Sequence, residues 1–326
     1  MTPTATTQPV LTRTLDPGIE WLVSRITRLS VAGPRGCEIV VDGTEIAAET
    51  AAELHRDLGG HLYRTYHAGM VAGGDGEFIP ALLEDPELEH RLYEATPVKH
   101  RQSRLTMVER APGGSGLVLS LNGIRVFFEP PAILSESEHS AVATVPSVES
   151  RLSLGFMFYT SSAGGGHTSR LLRLYRHLGD PEEAVEVWSS FIGWVEERGI
   201  PLRVKIGSRR SGFPRNDAMV IYLPSESLHA VGDIADHLRS DRPNAPVSLF
   251  GHQLTNGVSM AWEPVDTGAP RGGTSFGEHR SNTIARAIVA EGAEPDPQIN
   301  RAIRRALITA NIDPGAVYRN LDSPVL

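Results

Sequence analysis

The stretch PLRVKIGSRRSGFPRNDAMVIYLP occupies residues 201–224. Two apolar runs, LRVKI and DAMVIYL, flank a loop that contains Gly and Pro, and this order is typical of two β-strands joined by a turn. Strand alternation places Arg203 and Lys205 on one face of the first strand, with Leu202, Val204 and Ile206 on the other. The stretch therefore predicts a sheet with one polar and one apolar side.

The residues around this stretch predict helices packed on a largely antiparallel sheet. Strands are expected at LSLGFMFYT and VSMAWEP, and helices are expected over 181–198, 225–239, 282–291 and 297–311. Strands and helices are mixed here without a regular βαβ alternation, so we predict an α+β fold over 151–326.

The first half of the chain predicts a different mixture of elements. A helix starting at Asp16-Pro17 is expected to run through Ile26 and Leu29, followed by a hairpin at EIVVDGTEI and helices over 49–70 and 84–95. Residues 102–133 have the alternation and Gly-containing turns of a β-meander. We predict a disordered lead at 1–15, a helical and β-meander domain that binds a peptide or partner at 16–133, a linker at 134–150 and a catalytic domain at 151–326.

Composition narrows the class of protein. The formal net charge of −8 argues against nucleic acid as a partner, because nucleic-acid binding needs a basic surface. No apolar stretch is long enough to span a bilayer and the start lacks the apolar block of a signal peptide, so we expect a cytoplasmic protein without a membrane partner. Cys37 is the one cysteine, which makes a thiolate metal site improbable.

Positive charge is concentrated between residues 203 and 215. Arg203, Lys205, Arg209, Arg210 and Arg215 are five cations in thirteen residues. Repulsion from the arginines, together with any burial, would lower the pKa of Lys205 and allow it to act as a base near neutral pH. The simpler interpretation is a set of solvated loop arginines beside a lysine at a sheet edge.

A second polar segment, RGGTSFGEHR, occupies residues 271–280. Arg271 and Arg280 bracket it, and His279 stands directly before a predicted helix whose N-terminus favours an anion. The alternative is an ordinary loop with Ser275 or Ser281 as the helix cap.

Two further residues are candidates for the same chemistry. His252 follows an apolar run and is either an acid or a histidine satisfied within the fold, and Tyr222 is either a site residue or a core aromatic with its hydroxyl towards water. Neither HExxH nor a dinucleotide-binding glycine motif is present, so neither a metal nor a cofactor is expected.

The motifs form a recognisable ordered set. PLRVKIG, PRNDAMVIYL, SMAWEP and TSFGEHRSNTIARAI, preceded by HLYRTYH and LVLSLNGIRVFF, resemble the Hop-type type III effector family of plant-pathogenic bacteria and its relatives in peptide natural-product clusters. The resemblance covers roughly residues 50–292. It implies a lyase component of class V lanthipeptide or thioamitide biosynthesis, which eliminates phosphate from Ser and Thr that a kinase-like partner has phosphorylated on a precursor peptide.

The family is similar in its active site to phosphothreonine lyases, and this similarity implies roles for individual residues. Lys205 takes the position of the base, Arg215 and Tyr222 fall at the spacing of phosphate-contacting residues, and Arg280 takes that of a later phosphate ligand. The Lys-x-His pair that supplies the acid in those lyases is missing from GFMFYTS, so His252 or His279 is expected to replace it, unless no acid is needed.

Three functions remain open from the sequence. The first is a phosphoserine and phosphothreonine lyase with Arg203, Arg209, Arg210, Arg215, Arg271 and Arg280 as candidate phosphate ligands. The second is a non-catalytic subunit that binds the leader peptide or scaffolds the kinase. The third is a secreted effector that acts on a host target.

Overall fold

Two strands of the stretch 201–224 lie near the middle of a seven-stranded antiparallel sheet. The computed structural model describes residues 14–33, 36–70, 84–166, 170–264, 274–291 and 297–324. Within these ranges it contains seven α-helices and three antiparallel sheets, which confirms the predicted α+β class. Arg271 and most of the predicted lead lie outside the described residues. No described helix has the length and apolar character needed to cross a membrane.

The large sheet has helices on both faces. Its strands follow the spatial order β14-β15-β11-β13-β12-β10-β9. In chain order, its elements are β9 (Val148–Ser153), β10 (Phe156–Thr160), β11 (Leu172–Leu178), α4 (Pro181–Arg198), β12 (Arg203–Gly207), β13 (Arg215–Leu223), α5 (Val231–His237), β14 (His252–Thr255), β15 (Val258–Trp262), α6 (Phe276–Glu291) and α7 (Pro297–Thr309).

The first part of the chain packs on this sheet. It contains α1 (Pro17–Ser24), the three-stranded sheet β1 (Ile26–Gly33), β2 (Gly36–Val41) and β3 (Thr44–Ala48), then α2 (Ala51–Leu62) and α3 (Pro86–Ala95). The predicted hairpin at Asp42-Gly43 is confirmed. The prediction that the first helix extends to Leu29 is wrong, because Ile26 and Leu29 pair with Val41 and Ile39 in β1.

A five-stranded sheet stands beside the large one. It consists of β4 (His100–Arg110), β5 (Leu117–Leu121), β6 (Ile124–Phe128), β7 (Ile133–Glu136) and β8 (Ser140–Pro146), in the order β6-β5-β4-β8-β7. The predicted meander is therefore present. A linker over 134–150 is wrong, because β8 pairs along its whole length with β4 and Ala141, Ala143 and Val145 are buried.

Three groups of buried apolar side chains hold these layers together. One joins α3, α4 and α5 to one face of the large sheet, and a second joins α1, α2, α6, α7 and the three-stranded sheet to the opposite face. The third lies within the five-stranded sheet. The division into domains at 16–133 and 151–326 stays a prediction, but residues before 133 and after 151 share the first two cores.

Candidate functional site

The predicted polar face of β12 continues across neighbouring strands. The register places Arg203 beside Tyr222 of β13, and Tyr222 beside Arg173 of β11. Lys205 lies between Phe158 of β10 and Val220 of β13. Val204 and Ile206 point the other way and are buried in the core beneath α4, as the alternation predicted. The site is thus built on rigid strands of the sheet.

Lys205 is held in a half-buried aromatic environment. Its Nζ lies 4.3 Å from the centroid of the Phe156 ring, and the guanidinium carbon of Arg215 lies 5.9 Å from the same centroid. Burial lowers the pKa of Lys205 to about 8; Asp217 opposes this shift, while Arg173 and Arg215 add to it. The sequence predicts a shift caused mainly by repulsion from the arginines, whereas in the structure desolvation is the larger cause.

Arg215 is anchored by residues from the first half of the chain. Its Nη2 donates to the hydroxyl of Tyr63 at 2.6 Å and to Oδ2 of Asp217 at 3.0 Å, and its Nε donates to the same carboxylate. His67 places Nε2 3.5 Å from Asp217 Oδ2 and Nδ1 2.7 Å from the hydroxyl of Ser248. The five side chains form one buried polar network.

Electrostatics in this network keep Asp217 ionised. Burial by itself would raise the pKa of Asp217, but the charge of Arg215 and the hydrogen bond from His67 hold it well below its usual range. Burial raises the pKa of Tyr63, and the neighbouring Asp217 raises it further. Tyr63 therefore stays a neutral phenol, and Asp217 balances the charge of Arg215.

Arg173 forms a second anchored cation in the same face. Its Nη2 donates to Glu263 Oε1 at 2.5 Å and its Nε to the other carboxylate oxygen, so the pair is bidentate. The guanidinium carbon lies 5.1 Å from the centroid of the Tyr222 ring. Although burial would lower the pKa of Arg173, Tyr175 and Glu263 raise it above its ordinary value.

Arg203 is held more loosely. Its Nη2 lies 3.7 Å from Glu149 Oε2, outside hydrogen-bond distance, and its guanidinium carbon lies 5.7 Å from the Phe158 ring centroid. The half-buried amine of Lys205 is readily deprotonated and can take a proton. The guanidinium groups on the same face can neutralise an anion.

Several predicted site residues lie elsewhere. Arg210 is exposed and pairs with Asp85 and Glu87 at the start of α3, and Arg209 donates to the carbonyl of Leu154 at 3.4 Å. His252 is exposed on β14, stacked 4.8 Å from the Tyr318 ring. Four strand spacings separate β14 from β12, or roughly 19 Å, so His252 is not beside Lys205.

Arg280 and His279 also differ from expectation. His279 lies inside α6 instead of before it, and Ser275 caps that helix together with Glu278, as the alternative interpretation held. Arg280 is fully buried, and its three nitrogens contact the Val317 carbonyl, His279 Nδ1 and Asn320 Oδ1. Burial lowers the pKa of Arg280 to about 9. Its contacts are those of a structural residue behind the site.

The sequence did not predict the partners of the two anchored arginines. Tyr63 and His67 were seen only as part of a helix, and Arg173 lies on a strand that was not predicted at all. Glu263 lies within SMAWEP, and the sequence predicts no role for it. One sequence feature could have indicated these partners. An isolated arginine within an apolar segment is expected to be buried, and a buried arginine requires a carboxylate nearby.

Comparisons with known proteins identify a family. The profile of the HopA1 effector protein family matches residues 147–319, which is 173 of the 326 residues. The fold is similar to that of an effector protein from Pseudomonas syringae pv. tomato strain DC3000, with 13% identity, a TM-score of 0.42, and 83% of this chain and 99% of the other covered. An effector protein from Pseudomonas syringae pv. syringae strain 61 gives 14% identity, a TM-score of 0.46, and coverage of 83% and 92%. A comparison with curated proteins found no match.

Proposed function

The chain belongs to the HopA1 effector protein family, and from this premise we propose that it is a phosphoserine and phosphothreonine lyase acting on a peptide. The matched residues include the whole polar face of β12 and β13. The observation that carries the proposal is the state of Lys205, a half-buried amine whose pKa lies near 8 among guanidinium groups. The reaction needs a base and a positive environment for the departing phosphate.

The choice of lysine at this position supports a proton-transfer role. The 31 basic residues of the chain include only two lysines, Lys99 and Lys205, and the other 29 are arginines. Arginine stays protonated at any physiological pH, whereas a desolvated lysine can lose its proton. Position 205 therefore carries the basic side chain that can act as a base.

The reaction can be written with all its atoms balanced. The neutral Nζ of Lys205 takes the proton from Cα of the phosphorylated residue, and the C–H electron pair forms the Cα=Cβ bond. The Cβ–O bond breaks, and its electrons leave with phosphate, whose charge the guanidinium groups stabilise. The products are dehydroalanine from Ser or dehydrobutyrine from Thr, together with inorganic phosphate. No cofactor takes part in this scheme.

The family resemblance supports a biological setting for this reaction. The substrate is a precursor peptide of a lanthipeptide or thioamitide, phosphorylated in the cytoplasm by a kinase-like protein that acts with this chain. The peptide products of such pathways include antibiotics, so the enzyme belongs to antibiotic biosynthesis.

Mass spectrometry of a phosphorylated peptide tests the proposal. Incubation with the wild-type chain, with the kinase partner present, should remove the mass of one phosphoric acid per site; loss of one HPO₃ would mean hydrolysis and would contradict elimination. Lys205→Ala and Lys205→Arg should each lower the rate by about 10²–10⁴-fold, because neither offers a neutral amine. Lys99→Arg is the matched control and should retain activity, since the Lys99 amine contacts only Glu94 and Tyr93 among the described residues. Normal turnover by Lys205→Ala would show that the base is another group.

A second candidate is a subunit that binds the leader peptide or scaffolds the kinase. Ile124 and Phe127 on the edge strand β6 favour it, because 62% and 50% of their surface is exposed. In that case the wild-type chain would bind the unmodified and the phosphorylated peptide equally well, and neither would lose mass.

A further inference from the structure

The arginines near Lys205 could bind phosphate, but several of them are already paired with carboxylates or other acceptors of the protein. Arg173 faces Glu263 and Arg215 faces Asp217, each through two nitrogens on one carboxylate. Every nitrogen of Arg280 has a partner. A cation that is paired in this way has less attraction left for a ligand. The three arginines therefore shape the site more than they bind its substrate.

Arg101, on β4 of the five-stranded sheet, is in the opposite situation. Its Nε is buried and has no hydrogen-bond partner among the described residues, and no ion pair to Arg101 is found within those ranges. A buried N–H group without a partner is costly, and such a group is expected to meet a ligand or water. Arg101 thus has guanidinium N–H groups available to bind a ligand, unlike most arginines of the large sheet.

Backbone hydrogen bonds connect the start of β4 to the large sheet. Ser147 N donates to Lys99 O at 2.9 Å, and Thr160 N donates to Ser147 O at 2.9 Å. Thr160 is the partner of Arg203 in the pairing of β10 with β12. The start of β4 therefore continues the row that contains Arg203, and Arg101 lies two residues further along.

Glu149 interacts electrostatically with both arginines. Its Oε2 lies 3.7 Å from Arg203, and its register partner Phe158 is also the partner of Lys205. Burial lowers the pKa of Arg101; the charge of Glu149 opposes this, and that of Arg203 adds to it. Two guanidinium groups thus act on one carboxylate, so this cluster of three side chains carries a net positive charge. A phosphate dianion would supply the missing negative charge and accept several N–H groups at once.

We propose that Arg101 and Arg203 together bind the substrate phosphate, so that the five-stranded sheet contributes a binding residue to the Lys205 site. The identification of the ligand as a substrate phosphate rests on the proposed lyase function. The anion-binding site itself is inferred from the positions of the two arginines. Arg101 is absent from the set of arginines that the sequence suggested; it lies outside the matched family region and on a different sheet from Lys205.

Calorimetric titration of the full-length chain with inorganic phosphate tests this site apart from catalysis. The wild-type chain should bind phosphate, and sodium acetate at equal ionic strength should give no comparable binding. Arg101→Gln should weaken phosphate binding by about 10-fold or more, the usual effect of losing a charge-assisted hydrogen-bonding partner. Arg104→Gln is the matched control on the same strand, since the Arg104 side chain is exposed and its only hydrogen bond within the described part of the chain is to Ser140; it should bind like the wild type.

The outcomes separate the two proposals. Phosphate binding that depends on Arg101, without elimination from a phosphopeptide, would keep the anion site and remove the lyase function. Equal phosphate affinity in Arg101→Gln and the wild type, or no binding by the wild type, would overturn the anion site. If Arg101→Gln fails to fold, Arg101→Lys provides the test: it keeps the charge but cannot form two parallel hydrogen bonds, so affinity should fall several-fold, and unchanged affinity would overturn the proposal.

Discussion

The amine of Lys205 lies against the ring of Phe156, on a strand whose other face is fully buried. Removal from water is the main cause that disfavours the ammonium form, and the surrounding charges act in both directions, Asp217 and Glu263 against Arg173 and Arg215. A base of this kind depends on the depth of the strand in the sheet more than on any one neighbour. Substitutions that let water reach Phe156 should therefore raise the pKa of Lys205 towards that of an ordinary lysine.

The presence of only two lysines allows a direct measurement of this state. In Lys99→Arg protein labelled with ¹³C at lysine Cε, one lysine signal should remain, and it should titrate near pH 8, in place of the value of about 10.4 for a free lysine. The elimination rate should rise with pH through the same value and then level, because the neutral form is the active one. A signal that titrates above pH 10 would contradict the assignment of Lys205 as the base.

Asp217 is the residue whose loss should cost most in stability. Asp217→Asn would leave Arg215 charged and unpaired in a buried network, which typically costs about 3–5 kcal/mol in the free energy of unfolding. Urea denaturation at pH 7 measures this change. Asp236→Asn, which breaks the exposed pair with Arg239, is the control and should cost less than about 1 kcal/mol.

The pH dependence of that contribution has a definite sign. The pKa of Asp217 is held below its usual range, so its stabilisation is complete above the pKa of an unfolded aspartate, about 3.9, and is lost as the pH falls towards the folded value. The stability difference between wild type and Asp217→Asn should therefore shrink on acidification below about pH 4. A difference that stayed constant down to pH 2 would show that Asp217 does not stabilise the fold through its charge.

Helices with clear capping residues were predicted well from the sequence. Elements whose structure depends on pairing or burial elsewhere in the fold were not. Helix α4 has Asp180 as its N-cap and Gly199 in the left-handed conformation at its end, so both boundaries were visible. Strand β11 was missed because it is buried on both faces although it contains two arginines and a histidine, and these arginines are balanced by Glu263 and Glu183, which lie outside the strand. Pairing with β2 overrode the helical spacing of Ile26 and Leu29.

The packing of α6 against residues 63–67 gives a test of element contacts. A Cβ added at Gly277 would lie 2.1 Å from Cδ2 of the buried His67 ring, whereas one added at Gly193 of α4 would meet nothing within 4 Å. Gly193→Ala should stabilise the protein by about 0.5–1 kcal/mol through helix propensity. Gly277→Ala should instead destabilise it by about 1–3 kcal/mol, because the clash outweighs propensity.

Thermal or urea unfolding of these two variants measures their stabilities and tests the packing of α6 against His67. If both alanine variants were stabilised equally, α6 would not pack closely against His67. A destabilised Gly277→Ala variant should also lose elimination activity, since His67 contacts the Asp217 carboxylate that anchors Arg215.

On the scale of the whole molecule, the candidate site joins parts that are far apart in sequence. Alternation within 201–224 was sufficient to place Arg203 and Lys205 on one face, whereas the position of Tyr222 beside Arg203 follows from the strand register. It could not supply Tyr63, His67 or Arg101, because their approach depends on how α2 and β4 pack against the large sheet, which no local pattern encodes. The chain even passes from one sheet to the other without a linker, from β8 through Ser147 into β9.

This shared packing predicts that the second half of the chain does not fold alone. Leu54, Leu58 and Leu62 of α2 are fully buried in one core with Ile284 and Ile288 of α6, and Asp16 accepts a hydrogen bond from Val317 N at 3.2 Å. A fragment of residues 151–326 would expose this apolar face, at a cost of about 1.5–3 kcal/mol for each large side chain. Circular dichroism and thermal unfolding should show no cooperative transition for the fragment, in contrast to the full chain. A cooperative transition in the isolated fragment would establish residues 151–326 as an independent domain, and would imply that Tyr63 and His67 are not needed to assemble the site.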